Sequence, residues 1–231
     1  MKMKLGYFYY DLLNLYGENG NVKILAHHLR EQGIDVTVDC LTLEDKKDIA
    51  SYDWIYMGCG VERSLVLALK DAVKYREDFR KAIDGGAFIL ATGNSFEMFG
   101  KEIRMPSKTY PALNLLSFST EYKTRTVHDL FLPFGEKKLV GFENHSGATV
   151  DTSEAFFIQN DDRTEGIKHK NFIGTYTIGP LLVRNPHFLK SYLTELILHK
   201  DPDFSLRPMD LSLEEAAYET SIKTLTEMSY T

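Results

Sequence analysis

The chain has 231 residues, 43% of them apolar, enough to fill a complete core in one α/β domain with or without an appendage. A formal charge of -6, with lysines and arginines dispersed among acids, excludes a phosphate-tracking surface, so the expected partners are small molecules or proteins and not nucleic acid. Cys40 and Cys59 are the only cysteines and lack CxxC or histidine-rich spacing, so no disulfide framework, metal site or cofactor is implied and a reducing cytoplasm fits.

Met1-Lys2-Met3-Lys4 is followed within a few residues by Tyr and Asp rather than by a long apolar region, and no stretch reaches the length of a membrane span. Leu5 to Tyr9 reads as a first buried strand. A loop from Asn14 to Gly20, with Asn19, Gly20 and Asn21 as candidate caps, opens a helix whose apolar face is Val22, Ile24, Leu25 and Leu29. Gly33 stops it before the strand Ile34 to Val38. Trp54 to Met57 is the next strand, closed by Gly58-Cys59-Gly60, and a helix from about Glu62 to Ile83 ends at Gly85-Gly86. Phe88 to Leu90 is a fourth strand. This rhythm predicts a mostly parallel open sheet with helices on both faces, of flavodoxin-like type.

After Gly100 the pattern changes. Tyr122 to Val127, Asp129 to Phe134 and Lys138 to Phe142 read as short strands with antiparallel turns, one of them Gly135-Glu136. Phe156 to Ile158 and Phe172 to Tyr176 are expected to return to the sheet, and a helix runs from Asn185-Pro186 to His199. The domain so defined covers residues 1–199. Residues 200–231 carry Leu211, Leu213, Ala217, Ile222, Leu225 and Met228 and predict an amphipathic helical extension. Such a helix must bury its face somewhere, and docking in a complex or homodimer is the expectation.

Several segments together resemble the class I glutamine amidotransferase superfamily, in its cobyric acid synthase-like branch. Asp11 to Asn21 looks like an N-terminal signature of the glutaminase subunits of lipid II isoglutaminyl synthases, and Phe142-Glu143-Asn144-His145-Ser146-Gly147 like a central one. Gly174-Thr175-Tyr176, Gly179-Pro180-Leu181-Leu182 and Asn185-Pro186 resemble the segment that carries the family's histidine base. The matches run in order from about residue 5 to residue 197, which is more specific than any single motif. The resemblance implies a Mur-ligase-like protein partner, or a homodimer, and a small amide or amino-acid ligand. Cell-wall precursor amidation is the implied setting.

The departures from the family pattern fall on its chemistry. Phe88 to Leu90 leads into the sharp turn Ala91-Thr92-Gly93-Asn94-Ser95, where the family's Cys-Gly-Gly-Tyr-Gln pattern places its nucleophile. Counting back from Gly100 puts Gly93 at that nucleophile, Asn94 and Ser95 at the two glycines, Phe96 at the aromatic and Glu97 at the glutamine. The family's base position is Ile178. Amide hydrolysis by this route needs a thiolate to attack and an imidazole to move protons, so the sequence implies a degenerate enzyme.

Other parts of the expected site remain. Gly58, Cys59 and Gly60 match the turn whose backbone N–H groups face the oxyanion, and Glu62-Arg63 stands where the family has an Asp-Arg pair. With Asn94, Glu143, Asn144 and His145 these form the expected substrate-binding set. Cys59 is either a displaced nucleophile or a small thiol packed beneath the turn. Ser95 is either a nucleophile or the cap of a short helix. His145 is either a base or part of a buried polar network around the loop. His27 and His28 read as surface or flanking residues of the first helix.

Overall fold

Strands that are apolar at successive positions can be covered on both faces. Trp54, Tyr56, Phe88 and Leu90 enter one core layer, and Ile55, Met57, Ile89 and Ala91 enter the other. The computed structural model describes residues 1–159 and 163–228, the side chain of Met228 excepted. Its strands are β1 (Lys2–Phe8), β2 (Asp35–Leu41), β3 (Trp54–Met57), β4 (Phe88–Thr92), β5 (Glu102–Met105) and β6 (Lys108–Pro111). They continue with β7 (Ser119–Phe134), β8 (Lys137–Val150), β9 (Ile158–Gln159), β10 (Thr164–Glu165), β11 (Ile167–His169) and β12 (Phe172–Thr175). The helices are α1 (Asn19–Glu31), α2 (Glu62–Ala72), α3 (Arg76–Asp84), α4 (Leu181–Arg184), α5 (Pro186–Lys200) and α6 (Ser212–Met228).

The central sheet has six strands in the order β11-β12-β4-β3-β1-β2, all parallel except β11. The mixed α/β architecture expected from the sequence is therefore present. Side chains of α1, α4 and α5 fill one layer and those of α2 and α3 the other. Parallel strands deliver their following loops to one edge, where open sheets bind ligands. A second sheet, β6-β5-β7-β8, lies across that edge, and Phe142 of β8 exchanges both main-chain hydrogen bonds with Ile178, at 3.1 and 2.9 Å. No helix among the described residues is long and apolar enough to cross a membrane.

Local readings change in four places. The long second helix breaks at a 3-10 turn, Val73–Tyr75, which re-aims the apolar face so that Phe79 and Ile83 are buried. The short strands expected between Tyr122 and Phe142 are one long hairpin, β7 with β8, irregular only between Tyr122 and Thr126. Ile158 does not return to the central sheet: Ala155 alone bridges β11, at Lys168, and Ile158 pairs with Glu165 instead. The ribbon of β5 and β6 was not anticipated.

The extension packs on the chain's own body through part of its apolar face: Leu211 and Tyr218 are buried, while Leu213 stays 78% exposed. The Tyr218 hydroxyl donates to the Lys138 carbonyl at 2.9 Å, and Gln32 exchanges two hydrogen bonds with the Arg207 backbone, at 3.0 and 2.8 Å. The body offers a face because α1, α4 and α5 leave a groove beside β8 that Leu211 enters. Leu211→Ala is expected to destabilise the fold by about 2 to 3 kcal/mol, as buried leucine truncations do. At this chain length that is a melting-temperature drop of roughly 4 to 12 °C, read by scanning calorimetry. An unchanged transition would place this residue outside the core.

Candidate functional site

The turn after β4 is tight because Gly93 sits at φ +62°, a left-handed conformation that favours glycine. Residues Gly93–Phe99 then wind as 3-10 turns. A Cβ built on Gly93 would lie 2.5 Å from Cys59 Cβ and 2.6 Å from Cys59 Sγ. Cys59 therefore fills the space into which a side chain at position 93 would project. The turn that carries it is pressed against the loop after β1: a Cβ on Gly58 would meet the Leu13 carbonyl oxygen at 2.4 Å, and one on Gly60 the Leu12 carbonyl oxygen at 2.7 Å.

Asn94 closes the remaining gap. Its Oδ1 accepts from the Gly60 N–H at 3.1 Å and its Nδ2 donates to the Gly60 carbonyl at 2.8 Å. The side-chain amide thus occupies both backbone groups of Gly60, as a bound amide ligand would. Ser95 is wholly buried and donates to the Met57 and Thr92 carbonyls at 2.9 and 3.0 Å. Its hydroxyl is committed to main chain, so it neither caps the turn through an N–H nor faces a substrate. Burial, reinforced by the carboxylates of Glu18 and Glu97, pushes the Cys59 thiol up to about 12, and its bond to Asn94 only partly offsets this. A thiol so disfavoured as thiolate is poorly suited to attack.

Ile178 follows β12, whose Thr175 lies beside Thr92 of β4, so positions 93 and 178 share one sheet edge. Glu18 joins them. This wholly buried carboxylate accepts from Tyr56 Oη at 2.7 Å, from Thr92 Oγ1, and from the Gly179 N–H at 3.0 Å. Burial raises its pKa, and the three hydrogen bonds pull it back only in part. Sequence reasoning quoted Glu18 within a motif but gave it no role.

A second polar layer comes from β8. The His145 ring stacks on Tyr176 with centroids 3.6 Å apart and planes within 7°. His145 Nδ1 donates to the Gly147 carbonyl at 2.7 Å, which turns Nε2 toward Glu143 at 3.4 Å. Both nitrogens are thus engaged within a polar network of β8, with the Gly147 carbonyl and Glu143. Burial opposes the Glu143 charge, yet hydrogen bonds from His145 and Arg163 outweigh it and hold that carboxyl below its usual range. Asn144 faces outward, accepting from Arg125 Nε at 2.6 Å and donating to Tyr16 Oη at 2.8 Å. Arg63 is exposed and lines a separate groove with Glu62, Met105 and Tyr110, so it does not join the pocket.

A family model for the CobB/CobQ-like glutamine amidotransferase domain matches residues 4–186. The chain belongs to this family. It is 29% identical over 233 residues to the GatD subunit of lipid II isoglutaminyl synthase (glutamine-hydrolyzing) of Staphylococcus aureus, covering 96% of this chain and 95% of the relative. The GatD subunit of Streptococcus pneumoniae is 27% identical over 214 residues, covering 86% of this chain and 82% of that one. Among solved structures, a glutamine amidotransferase superposes with a TM-score of 0.57 at 17% identity, over 83% of this chain and 97% of its own. Another, from Thermotoga maritima, gives 0.52 at 12% identity, over 95% and 90%. These likenesses establish the fold, and the relatives are subunits of a glutamine-hydrolysing synthase.

Glu97, at the glutamine position of the amidotransferase pattern, is wholly buried and accepts from Tyr176 Oη at 3.2 Å. Burial raises its pKa from 4.5 to about 8. Between those values the folded chain holds a proton that the unfolded chain releases. The resulting stability is complete below about pH 4.5 and is lost as pH rises toward 8. Glu97→Gln is expected to remove up to about 1.4 kcal/mol per pH unit of that slope, measured by urea unfolding at several pH values across the window. An unaltered slope would show that Glu97 titrates normally.

Proposed function

We propose that this chain is a glutamine amidotransferase-like subunit that does not hydrolyse glutamine. In this reading it serves as a non-catalytic partner or ligand-binding module beside a Mur-ligase-like protein in cell-wall precursor amidation, in the cytoplasm. The observation that carries the reading is the closed elbow, in which Cys59 fills the side-chain space of Gly93 and the Asn94 amide engages both backbone groups of Gly60. The GatD relatives supply the setting, since they are named as subunits of a synthase. Removing members of a comparable hydrolytic triad costs on the order of a millionfold in rate. Oxyanion donors alone do not offset a loss of that size, and here one of them is already hydrogen-bonded within the chain.

The same geometry refines how activity could be restored. Gly93→Cys with Ile178→His supplies a thiol and an imidazole, but the new Cβ collides with Cys59. Ammonia release from glutamine is expected to be absent from the unaltered chain, alone or with a ligase partner, and from this double variant. Adding Cys59→Gly and Asn94→Gly clears the elbow and frees the Gly60 N–H, and turnover above background is expected only then. Ammonia release by the unaltered chain that Cys59→Ala or Ser95→Ala abolishes would overturn the proposal and identify a displaced nucleophile.

A further inference from the structure

The end of α1 meets the start of α6 at a cluster that the amidotransferase reading does not use. The rings of His27 and His28 stand 4.8 Å apart, and Glu31, one turn later, reaches both. Glu31 Oε2 lies 2.8 Å from His28 Nδ1 and Glu31 Oε1 lies 3.5 Å from His27 Nε2. His28 is only 1% exposed, and its other nitrogen, Nε2, faces Glu214 Oε1 of α6 at 3.5 Å. One imidazole therefore has a carboxylate on each nitrogen. A neutral ring carries a single N–H, so one of the two approaches sets a lone pair against an anion. A cation between the three donors resolves it for all of them.

We propose that His27, His28 and Glu31 bind a divalent transition-metal ion of the zinc class, with Glu214 as the positioning residue that fixes His28. Two imidazoles and a carboxylate are a donor set that zinc accepts, with a water completing a tetrahedron. The carboxylate on the far nitrogen matches the arrangement that orients metal-bound histidines generally. The three donor atoms lie within 4.8 Å of one another, whereas zinc bonds of about 2.1 Å require donor separations of roughly 3.4 Å. Closing the set takes a relative shift of up to about 1.4 Å in side chains, for which the exposed His27 and Glu31 have room. His27 and His28 are adjacent in sequence, so they lack the i, i+4 spacing by which paired helical histidines signal a metal site. The site lies beside the Gln32–Arg207 hydrogen bonds, so the ion would clamp the C-terminal extension to α1.

The test uses the full chain carrying Cys40→Ser, which removes the exposed thiol as a competing ligand. Zinc is titrated against a chromophoric chelator, and melting temperature is followed with and without zinc. One equivalent is expected to bind, with a rise in melting temperature. His27→Ala and Glu31→Gln should each weaken binding by at least about tenfold and abolish the thermal shift, and Glu214→Gln should weaken it by about 10- to 100-fold. His27 is exposed, so its alanine variant is expected to keep the parent circular dichroism. Equal zinc affinity in the parent and in His27→Ala, or no saturable binding by the parent, would overturn the proposal.

Discussion

The carboxyl edge of this fold is organised around one buried carboxylate. Glu18 receives hydrogen bonds from the end of β4, from the β3 tyrosine and from the backbone after β12, and so joins three neighbouring strands from the base of α1. An unpaired buried carboxyl costs several kcal/mol, and each donor left orphaned by its loss would add about 1 to 3 more. The arrangement is therefore over-determined. Asn21 extends it, donating to Tyr56 Oη and accepting from the Leu182 N–H, both at 2.7 Å. Asn185 does the same for β8, holding the Val140 N–H at 2.7 Å and its carbonyl at 2.8 Å. The polar residues of the recognisable motifs are thus largely the frame of the site, which explains how the frame can persist beside an altered elbow.

Close packing then couples the departures from the family pattern to one another. Interiors hold few voids, so a side chain missing at the elbow must be replaced by something nearby. Cys59 supplies that volume from the loop after the adjoining strand, and the Asn94 side chain binds the Gly60 backbone beside it. Glu97 follows the same logic. With a pKa near 8 it is mostly protonated at neutral pH and presents a planar, uncharged group of nearly the size of a glutamine amide.

What the sequence reveals and what it conceals divide along physical lines. β3 and β4 are legible because both of their faces are apolar, and the elbow because a strand, a tight turn and a fixed count to Gly100 mark it. The hairpin of β7 and β8 is hidden because one side is wet: Lys123, Arg125 and Asp129 interrupt the apolar signal although the pairing continues past them. Glu18 lies within the Asp11 to Asn21 signature with no role of its own, and only the convergence of three strands reveals its burial. The fit of Cys59 beneath Gly93 depends on two residues 34 positions apart on neighbouring strands. Motif spacing identifies each of them but not the distance between them.

At position 178 the fold favours an apolar side chain. Ile178 is wholly buried, and its main chain is fixed by the paired bonds to Phe142. An imidazole buried there would need partners for its ring nitrogens, and each unmet nitrogen would cost about 1 to 3 kcal/mol. An isoleucine needs none, and its burial contributes about 1.5 to 3 kcal/mol relative to exposure. At this position stability and proton transfer pull in opposite directions, as they commonly do where an active site keeps a polar group inside a core. The apolar choice at 178 and the thiol-filled space at 93 follow the same preference, for packing over reactivity.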